Sequence, residues 1–346
     1  MRPMELQAAQ VVGRCRLISQ LGHGSMGVVW KAHHLALDIP VAVKVVRSLD
    51  LGDPVKHRQR LQREARLAAR LNHPGIVRVL DFCEDEGLPL LVMELVEGPT
   101  LDAYLRGHGP FVERTALLMA YHLSGALQAA HEAGIIHRDL KPSNVLISAD
   151  GMLKLSDLGL ARPLSDSSLT DQKNVMGTPL YMAPELFTRV SDPDPRCDLY
   201  SLGVLLYQLI TGVVPFQGST AQVIHAQLHL TPDLDRIPLR SRQILSKLLD
   251  KDPDRRFQGA REVREAIRGC VQAMDAQQRS SEAVARPGGS GGTESRLLVR
   301  LEKSLSTESI SGGKTIVHTT GKERLIVALL LGLLVCVGVL GLLWMR

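Results

Sequence analysis

Aromatic residues are scarce in this sequence, and its cysteines form no recognisable motif. Tryptophan, tyrosine and phenylalanine together make up 3% of the 346 residues, so aliphatic side chains must form most of the core. None of the five cysteines belongs to a C-x-x-C pair, which argues against a structural zinc site or a disulfide framework. Scattered cysteines of this kind suit a reducing cytoplasm.

Several other features are absent or weak. Residues 1–10 lack the apolar core of a signal peptide, and no internal repeat is found. The net charge is only +5, while 45% of residues are hydrophobic and 22% are charged, as in packed globular proteins. The basic runs at residues 56–70 and 255–268 are interleaved with acidic or apolar residues. We interpret them as solvated helix faces and expect no nucleic-acid partner.

One long hydrophobic run stands apart from the rest of the chain. Residues 325–345 contain no charged residue and are long enough to cross a hydrocarbon core of about 30 Å as a helix. The alternative, a buried core helix, rarely runs this long without a polar residue. Lys322 and Arg324 precede the run, and such basic residues tend to stay cytoplasmic. We therefore expect a single-pass protein of the plasma membrane, with residues 1–324 in the cytoplasm and membrane lipid as a partner.

The run also contains a candidate dimerisation face. Ala328, Gly332 and Cys336 recur every four residues, and small residues at this spacing let two membrane helices approach closely. Small residues are frequent in membrane helices in any case. A homodimer and a monomer therefore both remain open.

A flexible linker is predicted before the run. Between residues 277 and 321 the composition shifts to serine, glycine, threonine and arginine. Residues 296–305 interrupt it with leucines and basic residues. This island is interpreted either as a helix on an anionic membrane surface or as a transient helix without function.

The most specific motif lies at residues 137–144, with the sequence HRDLKPSN, and is followed by DLG at residues 157–159. It brings together an acid, a lysine, an amide and a second acid. Apolar runs at residues 134–136 and 145–147 can bury the flanks of this loop. A match of this length is highly specific, so the other motifs are weighed against it.

A glycine-rich stretch, LGHGSMGVV, occupies residues 21–29. G-x-G-x-x-G alone is weak evidence, since it also opens dinucleotide-binding domains, where a helix follows. Here apolar and β-branched residues follow, which predicts a β-hairpin. Glycines at a hairpin tip can bring backbone N–H groups over phosphates. An ordinary glycine hairpin is the alternative.

A lysine and an acid follow the hairpin. Lys44 ends the alternating strand at residues 41–44 and can bind phosphates as a point charge. Glu64, in the helix predicted at residues 56–71, is the candidate that orients it. Strands are also predicted at residues 11–20, 76–82, 88–95 and 152–155, and helices at 101–105, 112–133, 198–206, 224–230, 242–249 and 260–273.

Taken in order, these motifs resemble the eukaryotic-type (Hanks-type) serine/threonine protein kinases, in their bacterial, membrane-anchored form. The resemblance covers about residues 11–270, and Leu158 replaces the usual phenylalanine of D-F-G. It implies an α+β, two-lobed fold with a β-rich N-lobe at residues 11–97 and a helical C-lobe at residues 98–272. The remaining segments are an extension at 1–10, a juxtamembrane linker at 273–324 and the membrane helix at 325–345.

The resemblance also implies the reaction and its site. It implies ATP-dependent phosphorylation of protein serine and threonine hydroxyls, with Mg²⁺ as cofactor and Mn²⁺ as an alternative. Asp139 and Lys141 are the implied catalytic residues, and Asn144 and Asp157 the implied metal ligands. The residues implied in ATP binding are Leu21, Gly22, Gly24, Gly27, Val29, Ala42, Lys44, Glu64, Met93, Glu94, Val96 and Leu146.

A hydroxyl-rich segment at residues 161–180 resembles an activation segment. The resemblance implies that the kinase phosphorylates this segment itself, and the candidate sites are Thr170, Ser168 and Ser167, with Thr170 first. Thr178 is implied in the platform that receives protein substrates. Arg138 is implied to pair with the phosphorylated segment.

Two structural contacts follow from the resemblance: Glu185 should pair with Arg256, and Asp198 should brace the catalytic loop. A pseudokinase scaffold is the main alternative from another class, but it would be expected to have lost a catalytic group, and none is lost here. A small-molecule kinase is the third reading, which the activation segment argues against.

Overall fold

A computed structural model describes residues 6–24, 27–46, 54–158, 179–188, 194–282, 297 and 300–302. The N-terminal part of this range is built on a six-stranded antiparallel sheet with the order β1-β2-β3-β4-β6-β5. Its strands are β1 (Val11–Val12), β2 (Cys15–Gly24), β3 (Gly27–His34), β4 (Ile39–Val46), β5 (Val79–Asp85) and β6 (Leu88–Glu94).

Alternation of side chains gives the sheet two apolar faces. On one face, Val41, Val43 and Val45 of β4 pack with Leu17 and Trp30. The other face receives helix α1 (Pro54–Arg70), whose Ala65 and Ala68 contact the sheet residues around Leu91. Because these alanines are small, the helix can lie close to the strands.

The hairpin between β2 and β3 is closed at its tip by glycines. Gly24 lies opposite Gly27, and Gly22 lies opposite Val29. Gly27 has a φ of 147°, and a Cβ atom built on it would lie 2.1 Å from the carbonyl oxygen of Val45. Only glycine fits there without moving β4.

The C-terminal part of the described chain is helical. Its helices are α2 (Leu101–His108), α3 (Glu113–Glu132), α4 (Glu185–Thr188), α5 (Arg196–Thr211), α6 (Thr220–His229), α7 (Leu239–Leu248) and α8 (Ala260–Glu282). A small two-stranded sheet, β7 (Val145–Ile147) and β8 (Leu153–Leu155), lies beside α3. Helix α3 is the centre of this part, since it packs against both α5 and α8 and is buried along most of its length.

A buried ion pair joins α4 to the turn before α8. Arg256 donates from Nη1 and Nη2 to the two carboxylate oxygens of Glu185, at 2.7 and 2.8 Å. It also donates to the backbone oxygens of Asp250, Lys251 and Arg196. The predicted Glu185–Arg256 pair is confirmed, and its many partners compensate the burial of the guanidinium.

The predicted two-lobed α+β architecture is confirmed, with differences at element ends. The first predicted strand is interrupted by a turn at Gly13 and Arg14 and continues to Gly24. Helix α8 continues to Glu282, past the predicted end at residue 273, and Asp275 in this extension accepts a hydrogen bond from Arg114 of α3.

The predicted membrane helix at residues 325–345 lies outside the described residues and stays a prediction. Within the described ranges, no helix is both long and apolar enough to cross a membrane. The leucine-containing island at residues 296–305 is described in part. Its Leu297 and Leu301 are buried against the protein, each 1% exposed.

The hairpin geometry predicts that Gly27→Ala destabilises the N-lobe. The added Cβ would clash with the Val45 carbonyl, and the positive φ disfavours any other residue, at a cost on the order of 1–3 kcal/mol. Denaturant unfolding followed by tryptophan fluorescence, to which buried Trp30 contributes, measures the change.

Gly22→Ala is the matched control. Nothing lies within 4 Å of its added Cβ, so its stability should stay within about 0.5 kcal/mol of the parent. Equal effects of the two variants would contradict the close approach of Gly27 to β4.

Candidate active site

Apolar residues of the large sheet and of β7 form one cluster near the β2–β3 hairpin, which we call the apolar slot. Ala42 and Met93 are buried in one cluster, and Val29, Val96 and Leu146 pack against it from its edge. Leu146 comes from β7 in the C-lobe, and the other four come from the sheet or the chain just after it. All five were predicted to bind ATP. The slot brings them together, and a flat aromatic base is a suitable ligand for aliphatic walls.

The strand end beside the slot is held by a charged pair. The Glu94 carboxylate accepts from Lys154 Nζ at 2.6 Å and from the backbone N–H of Arg78 at 3.0 Å. These contacts fix the Glu94 side chain, so the backbone of Glu94 and Val96 is what remains to recognise a base edge. Leu21, also predicted for ATP binding, lies on β2 and is 52% exposed.

Lys44 contacts a different acid from the one predicted. Its Nζ donates to Asp157 Oδ1 at 2.7 Å. Glu64 lies half-buried on α1, and among the described residues the ion pair of Lys44 is formed with Asp157 rather than with Glu64. Attraction between opposite charges grows as their distance falls, and the Asp157 carboxylate lies 2.7 Å from the buried Lys44 ammonium.

Asp157 is held as an anion by this contact. Burial alone would raise its pKa, but the adjacent Lys44 ammonium outweighs burial, and His137 and Lys141 add to its effect. The pKa of Asp157 is therefore lowered below its ordinary value. The carboxylate is thus ionised at neutral pH and available to a cation.

The acid, lysine and amide of residues 137–144 form one network. Lys141 Nζ donates to Asp139 Oδ2 at 2.7 Å. Asn144 Nδ2 donates to the same oxygen at 3.0 Å and to the backbone oxygen of Asp139 at 2.8 Å. Asp139 is therefore fixed in orientation while part of its carboxylate still faces solvent.

The network is carried by a strained backbone. Arg138 has a φ of 59° and Asp157 a φ of 60°, both in the left-handed region that non-glycine residues seldom adopt. Such conformations persist only where neighbouring contacts impose them, and they are common at functional sites.

Asp198 of α5 imposes one of these conformations. Its Oδ2 accepts from the backbone N–H of His137 at 2.8 Å, and its Oδ1 accepts from the N–H of Arg138 at 2.7 Å. The prediction that Asp198 braces the catalytic loop is confirmed. Burial would raise the pKa of Asp198, but the hydrogen bonds and electrostatic effect of His131 and His137 lower it instead.

His137 links the two halves of the site. Its Nδ1 accepts from the N–H of Asp139 at 3.3 Å, and its Nε2 donates to the Ser156 oxygen at 3.0 Å. One imidazole therefore holds both the segment of Asp139 and the residue before Asp157.

Two contributors were missed by sequence reasoning. His131, at the end of α3, donates from Nε2 to Asp198 Oδ2 at 2.8 Å and adds a third nitrogen donor to that carboxylate. Lys154 fixes Glu94 from β8. The one sequence signal for His131 is its position at the end of an alanine-rich helix, six residues before His137.

The residues present fit a divalent cation of the magnesium type. Asp157 offers a carboxylate, and Asn144 bonds Asp139 through Nδ2, which leaves its Oδ1 as an oxygen donor. Among the described residues there is no group of three or more His, Cys, Asp or Glu that could hold a metal. Mg²⁺ usually combines one or two protein oxygens with substrate phosphates, and Asp157 and Asn144 offer two such oxygens.

Several predicted residues lie outside the described ranges. These are the phosphorylation candidates Thr170, Ser168 and Ser167 and the platform residue Thr178. Their roles stay predictions, as do those of the ATP, metal and catalytic residues whose positions are described above.

Comparison with known families agrees with this site. The family described as "Protein kinase domain" matches residues 15–267 of the chain. That span contains the hairpin, Lys44, the catalytic network and Asp198.

Curated relatives are similar over most of the chain. The probable serine/threonine-protein kinase SCO3848 of Streptomyces coelicolor is 37% identical over 298 residues, which cover 81% of this chain and 43% of that protein. The serine/threonine-protein kinase PknL of Mycobacterium tuberculosis is 41% identical over 231 residues, which cover 67% and 57%. The chain thus spans about half the length of these relatives.

A solved structure shares the fold. The crystal structure of the Mycobacterium tuberculosis PknI kinase domain matches with a TM-score of 0.62 and 28% identity. The match covers 77% of this chain and all of that domain, 100%.

The geometry around Asp198 predicts that Asp198→Asn weakens both stability and activity. An asparagine amide has one acceptor oxygen and an NH2 group in place of the second oxygen, so at least one of the donors His137 N–H, Arg138 N–H and His131 loses its acceptor. The cost is about 1–3 kcal/mol. Thermal unfolding and phosphate-transfer rates measure the two effects.

The pH dependence gives a second readout. The lowered pKa of Asp198 means that its stabilisation is complete above its ordinary pKa of 3.8 and is lost as pH falls through the folded-state pKa. Asp198→Asn should remove that part of the acid destabilisation, whereas Asp235→Asn, at an exposed carboxyl, should leave it unchanged. An unaltered melting temperature in Asp198→Asn would contradict the bracing role.

Proposed function

The chain belongs to the protein kinase domain family, and from this premise we propose that it transfers the γ-phosphoryl group of ATP to serine and threonine hydroxyls of proteins. The observation that carries the proposal is the convergence of Asp139, Lys141 and Asn144 in one hydrogen-bond network. With Asp157 and Lys44 they form a charged cluster that suits phosphoryl transfer.

Asp139 is proposed to receive and orient the substrate hydroxyl. Its carboxylate oxygen Oδ2 is fixed by Lys141 and Asn144, so the substrate proton meets an acceptor that is already in place. Lys141 then neutralises the charge of the transferred phosphoryl group.

Lys44 is proposed to hold the α- and β-phosphates. Lys44 lies on β4 opposite Val29 of β3, the strand that follows the glycines. When it turns from Asp157 toward phosphate oxygens, Glu64 on α1 is the acid that can orient it. The backbone of Gly22, Gly24 and Gly27 covers the phosphates from above.

The adenine is proposed to lie in the apolar slot between Val29, Ala42 and Leu146, with Met93 at its back. Backbone groups of Glu94 and Val96 read its edge, and Leu21 covers its outer side. Asn144 and Asp157 would hold Mg²⁺, or Mn²⁺ in its place, which when bound neutralises phosphate charge.

Regulation is proposed to come from autophosphorylation. Thr170, with Ser168 and Ser167 as alternatives, is the proposed site, and Thr178 is proposed to contact the substrate segment. What supports this is the resemblance of residues 161–185 to an activation segment and the presence of Arg138 next to Asp139.

The protein is proposed to be tethered to the cytoplasmic face of the plasma membrane. What supports this is the uncharged run at residues 325–345 and the basic residues before it. The proposed domains are the extension 1–10, the kinase domain 11–272 with lobes 11–97 and 98–272, the linker 273–324 and the membrane helix. Homodimerisation through this helix would favour phosphorylation in trans.

The proposal predicts the effect of two substitutions. Incubated with Mg²⁺-ATP, the full chain should acquire phosphate on serine and threonine residues of the segment 161–180. Lys44→Met loses the phosphate contact and Asp139→Asn the proton acceptor, so each should lower incorporation about 10²-fold or more. Phosphopeptide mapping by mass spectrometry measures this, and it also decides between Thr170 and its neighbours.

Asp235→Asn is the matched control. It changes an exposed carboxyl outside the proposed site, so the variant should retain full phosphate incorporation. ATP binding without phosphate transfer in the parent protein would contradict the proposal and favour a nucleotide-binding scaffold.

A further inference from the structure

A segment C-terminal to the helical lobe returns to contact it. After α8 ends at Glu282, the described chain reappears at Leu297 and at residues 300–302. We call these four residues the strap. The surface that they contact is the α3 face, defined by Arg114 and His122 of α3, Asp275 of α8 and Asp150 of the β7–β8 turn.

Both apolar side chains and polar groups of the strap contact the protein. Leu297 and Leu301 are each 1% exposed, which places their side chains inside the protein. The backbone oxygen of Leu301 accepts from His122 Nε2 at 3.1 Å. A helix-like i, i+4 spacing puts both leucines on the same side of the strap, facing the lobe.

Opposite charges set the direction of the strap. Arg114 Nη1 donates to Glu302 Oε1 at 2.6 Å, while its Nε and Nη2 donate to Asp275. Two residues before Glu302, the Arg300 guanidinium lies 3.6 Å from the Asp150 carboxylate. The strap thus offers an acid where the face has an arginine and an arginine where the face has an acid.

From these contacts we infer that the α3 face is a docking surface for the chain's own strap, and that the docking is reversible. The apolar area gained by two leucines is of the same order as the entropy lost in ordering a short segment. The charged contacts are partly exposed and add little. Docked and released states therefore lie close in free energy.

Docking has a consequence for the tether, which rests on the membrane helix proposed above. When the strap is released, residues 283–324 connect α8 to that helix. When it is docked, residues 303–324 connect the docked strap to the helix. Docking would therefore shorten the reach of the kinase domain from the membrane. The docking itself does not depend on that proposal.

The test is backbone hydrogen exchange of residues 297–302 in the full chain in uncharged detergent micelles. Docking predicts exchange at least tenfold slower than in Leu301→Asp, which places a charge among buried apolar groups. Glu302→Gln, which weakens the Arg114 contact and spares Asp275, should give an intermediate acceleration. Leu239→Asp, at a leucine that is 77% exposed, is the matched control and should leave the exchange unchanged.

Two results would overturn the inference. One is exchange in the parent chain as fast as in Leu301→Asp. The other is protection that is absent in micelles and appears only in bilayers containing phosphatidylserine, because the membrane surface would then be the occupant. Loss of the membrane helix alone would leave the predicted slow exchange intact, so failure of the tether and failure of docking are distinguishable.

Discussion

The buried carboxylate of Asp198 is the constraint on which the rest of the site depends. It accepts hydrogen bonds from two consecutive backbone N–H groups, those of His137 and Arg138, and from the His131 ring. These bonds hold Arg138 in a left-handed conformation, and the next residue, Asp139, meets Lys141 and Asn144. A catalytic acid is thereby positioned by a residue on a rigid helix of the core, and preorganisation of this kind is what phosphoryl transfer requires of a protein.

Around that anchor the charged groups neutralise one another in pairs. Lys44 contacts Asp157, and Lys141 contacts Asp139, each at 2.7 Å. A partly buried charge without a partner is costly, and each pair offsets that cost in the free protein. The same groups would bind phosphates and a cation, which offer stronger partners of the appropriate sign. Ligand binding can then proceed by exchange of partners without any group being left uncompensated.

The sequence predicted the fold, and it predicted which residues of the site lie close together, because the motifs are local. Residues 137–144 lie within one loop and residues 21–29 within one hairpin, so the family resemblance of these short stretches indicates which groups meet. Contacts across the fold were harder to predict. Lys44 meets Asp157, which is 113 residues away, because of charge and burial that spacing does not encode. The contacts of His131 and of the strap were not predicted. A lone histidine, or a basic linker that contains leucines, does not indicate which residues it will contact.

The most direct test of this partner exchange is a crystal structure of the kinase domain with Mg²⁺ and a non-hydrolysable ATP analogue. Partner exchange predicts Lys44 on the α- and β-phosphates and paired with Glu64, and Asp157 and Asn144 on the metal. The contacts of Asp198 with His137 and Arg138 should be unchanged. A bound nucleotide with the Lys44–Asp157 pair still closed and no metal at Asp157 would contradict it.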